Sequence, residues 1–150
     1  MPNSIVYPSL MLVAGVGIPI MAALNSGLGV KLGSSALATA VLFFVGLIAS
    51  LTYLLTSEGL PTHLFQRNIT WYFYLGGLLV AFYTLSITWV SPKYGVGNAI
   101  SFVLLGQLIA ISIIDHLGLF NAQQFTMTSN RAIGLIMMVI GVFLVIKRAA

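Results

Sequence analysis

Few residues of this chain could carry out chemistry, because only 5% of its 150 residues are charged. Asp115 and His116 are adjacent, and a carboxyl group beside an imidazole is suited to accepting and releasing protons. No GxSxG or HExxH motif is present in the sequence. With no cysteine and only two histidines, the chain lacks the side chains of a thiolate or histidine metal cage. We therefore expect no enzymatic activity, no catalytic residue, no metal and no cofactor.

A different kind of chemistry, the binding of a small organic molecule, is suggested by the segment GIPIMAALNSGLG. Its proline, Pro19, cannot donate a backbone hydrogen bond, which predicts a bend near the middle of an apolar helix. Asn25 lies about 10 Å beyond the centre of that helix, still within the half-core of about 15 Å. An amide in lipid is costly, so we expect Asn25 to point inward, on a face that carries Ile18 and Met21. This pattern is equally typical of an organic-ligand site and of helix packing.

The composition shows what kind of element must hold these residues. Hydrophobic residues make up 59% of the chain and its mean hydropathy is +1.08, whereas a soluble domain carries roughly 25% charged residues. The chain has too few charges to coat a surface in water, so we expect an all-α integral membrane protein. Its net charge of +4 is spread over loops and helix ends, which excludes a patch for nucleic acid.

Five apolar segments approach or exceed the length of about 20 residues that a membrane span requires. We place them at about 5–30, 36–56, 70–90, 95–117 and 131–146, within a single transmembrane domain. Turn-forming segments such as KLGSS and SPKYG separate them. An odd number of spans leaves the two termini on opposite sides of the membrane.

The distribution of cations predicts the orientation of the chain. The side of the N-terminus has two, Arg67 and Arg131, and the opposite side has four, which are Lys31, Lys93, Lys147 and Arg148. This difference favours an N-out, C-in arrangement. It is small, so insertion in both orientations stays open as an alternative.

The third predicted span has a polar face. Tyr74, Thr84 and Thr88 share that face with Gly77 and Ala81, because their spacing of three or four residues matches the turn of a helix. Small residues and hydroxyls of this kind serve helix packing. They are also suited to lining a cavity.

The fourth span is the most polar. One arc of roughly 100° holds Asn98, Ser101, Ser112, Asp115 and His116. Gln107 lies opposite, near the membrane midplane, so the arc and Gln107 cannot both face the same cavity, and one of the two would serve packing or meet a partner chain. Asp115 and His116 lie about 14 Å from the centre of the span, so an interfacial structural role and a gating or proton-handling role both stay open.

Three stretches of the chain resemble a known family. GVGIPIMAALNSGLGVKLGSSALATAVLFFVG is similar to the opening of the short YdcZ-type proteins, a branch of the drug/metabolite transporter superfamily. GQLIAISIIDHLGLF resembles the fourth helix of that family, and RAIGLIMMVIGVFLV resembles its fifth. The order of these motifs and the five-helix length make the resemblance fairly specific.

The resemblance implies a bacterial inner-membrane transporter, and more specifically an exporter, of small organic molecules or metabolites that works by alternating access. Five-helix chains are similar to half of a ten-helix bundle, so two would pair in antiparallel fashion, as a homodimer or with a similar chain. Helices one to four would line the cavity between them. The distantly similar small multidrug exporters have a glutamate in their first helix, but no acid lies in span one here, which puts proton exchange by that scheme in doubt.

Sequence and resemblance together give two sets of candidate site residues. The substrate-binding candidates are Ile18, Met21, Asn25, Tyr74, Thr84, Thr88, Ser101 and Gln107. The candidates for gating or proton handling are Pro19, Asp115 and His116. The alternative function is that of a non-transporting membrane subunit that stabilises a partner protein.

Overall fold

The chain is helical wherever its regular structure is described. A computed structural model describes residues 3–57, 59 and 69–146. The helices are α1 (Asn3–Leu32), α2 (Ser35–Ser57), α3 (Gly76–Tyr94), α4 (Val96–Leu117) and α5 (Ser129–Ile146), with short 3₁₀ turns at Trp71–Leu75 and Leu119–Asn121. Five spans, with the Trp71–Leu75 turn as the start of the third, are long and apolar enough to cross a membrane. The predicted all-α, five-span fold is confirmed.

With the 3₁₀ turn Trp71–Leu75 counted as the start of the third span, the helix bounds agree with the predicted spans to within about one turn. The start of α5 has a specific local cause. This helix begins at Ser129, two residues before the predicted start. Thr128 caps it, because its Oγ1 accepts the Arg131 N–H at 3.3 Å and its carbonyl accepts the Ala132 N–H at 3.0 Å. Helix α1 continues through both Pro8 and Pro19. His63, Arg67, Lys147 and Arg148 lie outside the described residues.

The chain divides into two compact units, Met1–Lys93 and Tyr94–Ala150. In the first, α1 packs against α2, and side chains of α3 contact α1. In the second, α4 packs against α5. The expectation that the whole chain is one transmembrane domain stays a prediction, as does its orientation.

A very short connection holds α1 against α2. Gly33 adopts φ +65°, a conformation that glycine reaches without strain, and its N–H donates to the Val30 carbonyl at 3.2 Å. The Ser34 N–H donates to the Gly29 carbonyl at 3.0 Å, which closes the end of α1. The Ser34 hydroxyl then accepts the Leu37 N–H at 3.1 Å and caps α2. Gly33 and Ser34 therefore reverse the chain between two membrane-length helices.

Apart from Ile87 and Val142, the buried positions are small or polar, while most large apolar side chains face outward. The core of the described residues includes Ala22, Ala38, Thr84 and Thr88, whereas Leu24, Leu79 and Leu144 are among many exposed leucines. Lipid tails are as apolar as leucine, so outward leucines cost nothing in a bilayer. Small side chains let the helix backbones approach closely.

Gly29 marks the closest approach in the first unit. A Cβ added at this position would lie 3.1 Å from Thr88 Cγ2, 3.5 Å from Ser35 Cα and 3.7 Å from Ala38 Cβ. Gly27, on the same helix, has nothing within 4 Å of such a Cβ. Helices α2 and α3 can therefore approach α1 closely at Gly29 because this residue has no side chain.

We expect Gly29→Ala to be less stable than Gly27→Ala by roughly 1–2 kcal/mol, because only the first crowds Thr88. Both variants gain the same helix propensity, so their difference isolates the crowding. The measurement is the apparent unfolding temperature in detergent. Adding Thr88→Ser, which removes the crowded methyl and keeps the hydroxyl, should restore Gly29→Ala toward the level of Gly27→Ala. Equal stability of the two alanine variants would contradict the close approach.

Candidate functional site

An amide and a hydroxyl meet between α1 and α3 at membrane depth. Asn25 Nδ2 donates a hydrogen bond to Thr88 Oγ1 at 2.6 Å. Asn25 is 4% exposed and Thr88 is fully buried. The cost of an amide in lipid explains why α1 turns this side chain inward. The bond has the packing role that the sequence left open, and contact with a substrate stays a prediction.

Further hydroxyl groups lie on the same face of α3 as Thr88. Thr84, one turn earlier, is buried, and its Oγ1 donates to the Val80 carbonyl at 2.8 Å. Ser91, three residues later, is buried too, and its hydroxyl has no hydrogen-bond partner among the described residues. The same holds for the hydroxyls of Thr39 and Tyr83. Most buried polar groups in proteins are paired, so this unit holds unusual spare hydrogen-bonding capacity.

Sequence reasoning did not include Thr39, Tyr83 or Ser91 among the site residues. For Ser91 a signal existed, because Thr84, Thr88 and Ser91 are spaced by four and three residues. Their shared face could have been extended past Thr88 by that rule. Tyr83 carries no such signal, since its ring gives it the pattern of an ordinary apolar position.

A groove between α1 and α2 lies beside the amide. Its volume is about 310 Å³, and its lining consists of Met21, Leu24, Asn25, Leu28, Val41, Leu42 and Val45. Two predicted substrate-binding residues, Met21 and Asn25, therefore share one groove. Every other lining residue is aliphatic. The arrangement offers an apolar, adaptable surface with one amide, which is the common pattern of a small-molecule site.

The remaining substrate-binding candidates lie elsewhere. Ile18 is 38% exposed and Tyr74 is 60% exposed, and neither lines this groove. Ser101 belongs to the second unit, where its hydroxyl donates to the Gly97 carbonyl at 2.9 Å. It lines a separate groove of about 410 Å³ with residues that include Met137 and Gly141. Gln107 is exposed near the middle of α4.

Asp115 forms an ion pair that the sequence did not predict. Arg131 Nη2 lies 2.7 Å from Asp115 Oδ2, with both side chains partly exposed. Asp115 is at the C-terminal end of α4 and Arg131 at the N-terminal end of α5, so each charge has the same sign as the dipole end beside it. The pair compensates both unfavourable positions.

His116 helps to hold the loop that follows α4. Its Nδ1 accepts the Met127 N–H at 3.2 Å, and its carbonyl accepts a bond from Gln124 Nε2 at 3.0 Å. Next to it, the Asp115 carbonyl accepts the Phe125 N–H at 2.8 Å. Gly118 ends α4 in the left-handed region at φ +62° and donates to the Ile114 carbonyl. These bonds support the interfacial structural role, and the gating or proton-handling role stays a prediction.

A comparison with protein families covers almost all of these elements. The family model described as "Putative inner membrane exporter, YdcZ" matches residues 6–144. The chain belongs to the YdcZ family. The matched range contains every residue of the two candidate sets, and it extends from the first turns of α1 to the last turn of α5. No curated protein and no solved structure matches the chain.

Family and fold agree on the broad class of this YdcZ-family protein. Its five apolar helices make it a multi-pass membrane protein, and its family is one of inner-membrane exporters. The resemblance found in the sequence is therefore confirmed. The family match supports a role in membrane transport. The substrate and the roles of the candidate site residues stay predictions.

We expect Asp115→Asn and Arg131→Gln each to lower the apparent unfolding temperature, because each leaves one charge unpaired at an unfavourable helix end. The double variant should lose less stability than the sum of the two single losses. The difference, the coupling free energy of this partly exposed pair, should be roughly 1 kcal/mol. Transport per folded protein should be retained in the double variant. A folded Asp115→Asn variant that has lost transport would instead assign Asp115 to proton handling.

Proposed function

We propose that this YdcZ-family protein exports small organic molecules across the inner membrane by alternating access, as a dimer of five-helix chains. The observation that carries the proposal is the Asn25–Thr88 pair beside the groove lined by Met21. A packing bond alone would need no adjacent groove. The family match supports transport as the general activity.

The two halves of α1 are suited to different tasks in such a cycle. The half after Pro19 is held by the Thr88 bond, by the close approach at Gly29 and by the turn at Gly33. Before Pro19, the described side chains from 5 to 18 are all exposed within the chain. A proline removes one backbone hydrogen bond and eases bending at its own position. Bending at Pro19 would therefore move the first half of α1 while the second half keeps Asn25 in place.

The dimer proposal uses an amide in the second unit, at the centre of α4. α4 has 22 residues, so its centre lies between Gly106 and Gln107. The Gln107 side chain is exposed and makes no hydrogen bond within the described parts of the chain. Leaving an amide in hydrocarbon at the midplane is costly. A second chain that covers Gln107 removes that cost.

Symmetry explains why Gln107 suits an antiparallel pair. A two-fold axis in the membrane plane exchanges the two sides of the bilayer, so only residues at the midplane can face their own copies. Two glutamine amides can then donate to and accept from each other. The cavity between antiparallel chains would lie on the same axis, so this position is compatible with the predicted contact of Gln107 with substrate.

The test of transport uses protein reconstituted in vesicles and a broad panel of small organic solutes. We expect substrate-dependent flux, and Asn25→Ala should lower it by roughly threefold to tenfold, the range that corresponds to the loss of about one hydrogen bond. Asn98→Ala is the matched control, because that amide lies outside the groove and donates to the Tyr94 carbonyl at the end of α3. Absence of flux across the whole panel would count against transport and favour a non-transporting subunit. Unchanged flux in folded Asn25→Ala would leave that residue a packing role only.

Disulfide cross-linking tests the dimer, since the natural chain has no cysteine. In an antiparallel pair centred on Gln107, Gln107→Cys should cross-link to its own copy. Val103→Cys and Ile111→Cys should each fail to do so, because their copies would be about 12 Å apart along the axis. The same two variants should cross-link to each other when co-expressed. Self-linking at all three positions would indicate a parallel pair, and no linking at any of them would exclude this face.

A further inference from the structure

We infer that the substrate is a neutral, mostly apolar molecule with a hydrogen-bonding group, and that organic cations are excluded. This inference rests on the proposed function, because it assigns a chemical class to the groove beside Asn25. It concerns selectivity, which the proposed transport activity leaves undefined.

The lining of the groove contains no charged and no aromatic residue. Apart from Asn25, it consists of Met21, Leu24, Leu28, Val41, Leu42 and Val45. An organic cation that leaves water needs either a carboxylate or the face of an aromatic ring. This groove provides neither, so the desolvation of a cation would go uncompensated there.

None of the charged side chains among the described residues lines the groove, and most of them contact other groups. Lys31 is in the last turn of α1, and Lys93 lies near the end of α3 with its Nζ 3.5 Å from the centre of the Trp89 ring. Asp115 and Arg131 pair with each other in the second unit. Neither an anion nor a cation in the groove would therefore have a counter-ion among its lining residues.

The amide of Asn25 is suited to neutral partners. The bond to Thr88 uses one of its two N–H donors, and an amide has a second donor and a carbonyl acceptor besides. It can thus pair with a hydroxyl, a carbonyl or another amide. The Thr88 bond also fixes the rotamer of Asn25, so little side-chain entropy is lost when a ligand binds.

The rim of the groove favours a molecule that dissolves in the bilayer. Leu24 and Val45, at its edge, are 71% and 59% exposed. In a membrane such side chains face hydrocarbon or a neighbouring apolar surface. A neutral amphiphile can reach the amide across this rim, whereas a permanent charge would have to cross the same apolar boundary.

The experiment compares naphthalene derivatives that share one ring system and differ in the attached group. The probes are 1-naphthaleneacetamide, (1-naphthylmethyl)trimethylammonium, 1-naphthaleneacetate and the hydrocarbon 1-neopentylnaphthalene. Binding to the reconstituted full chain is measured by equilibrium dialysis against matched protein-free vesicles, which corrects for partition into lipid. We expect the amide to bind at least about tenfold more tightly than the cation and the carboxylate.

Asn25→Leu should reduce the affinity for the amide by about threefold to tenfold and leave the hydrocarbon unaffected, because only the polar contact is lost. Asn98→Leu makes the same chemical change away from the groove and should preserve the order of affinities. Should Asn25→Leu fail to fold, the ranking of the four probes by the wild-type protein still decides the inference. Equal or tighter binding of the cation overturns it and leaves transport intact. Flux of other solutes with no binding of the amide also overturns it, whereas absence of both binding and flux overturns the proposed function as well.

Discussion

The first unit depends on the requirement that a polar group in a bilayer finds a polar partner. Asn25 meets this requirement through Thr88, at 2.6 Å. The bond needs α1 and α3 to lie close together, and Gly29 makes that possible because a side chain there would press on Thr88. Amide, hydroxyl and glycine therefore belong to one helix contact, in which the hydrogen bond depends on the close approach at Gly29. The groove between α1 and α2 lies beside this contact and shares Asn25 with it.

At one end of the second unit, charged and polar groups find their partners by different means. Its charged pair lies at the ends of α4 and α5, and the loop between them folds back so that backbone groups bond to Asp115 and His116. The ion pair, the left-handed Gly118 and the Thr128 cap each determine where one of these helices ends or begins. Asp115, a candidate for proton handling in the sequence, thus forms an ion pair with Arg131, sixteen positions later.

The sequence predicted most of the fold and part of the site. Hydropathy was sufficient for the number and bounds of the helices, because a span of the membrane has a fixed length and composition. The cost of a buried amide gave the inward direction of Asn25, since that cost depends only on depth. The partner of Asn25 could not be predicted, because Thr88 is sixty-three residues away and nothing local links the two.

Arg131 and Tyr74 also differ in the structure from what the sequence predicts. In the sequence, Arg131 is recognisable only as a cation that bears on orientation, because its pairing with Asp115 requires the loop between α4 and α5 to fold back. Tyr74 shares a helical face with Thr84 by spacing, but it lies in the 3₁₀ turn Trp71–Leu75, where the angle per residue differs from that of an α-helix. Its ring is 60% exposed, and every residue from 71 to 80 is exposed within the chain, so this part of the predicted face is not buried.

The two-residue turn between α1 and α2 has a consequence for how the protein enters the membrane. Two extended residues reach at most about 7 Å, far less than the thickness of the hydrocarbon core of about 30 Å. The end of α1 and the start of α2 must therefore stay on the same side of the bilayer throughout biogenesis. The insertion machinery has to handle these helices as one hairpin, with Lys31 as the cation next to its tip. Because both helices share this tip, the side on which Lys31 stays would set the orientation of α1 and α2 together, and the other cations of the chain would set it jointly with Lys31.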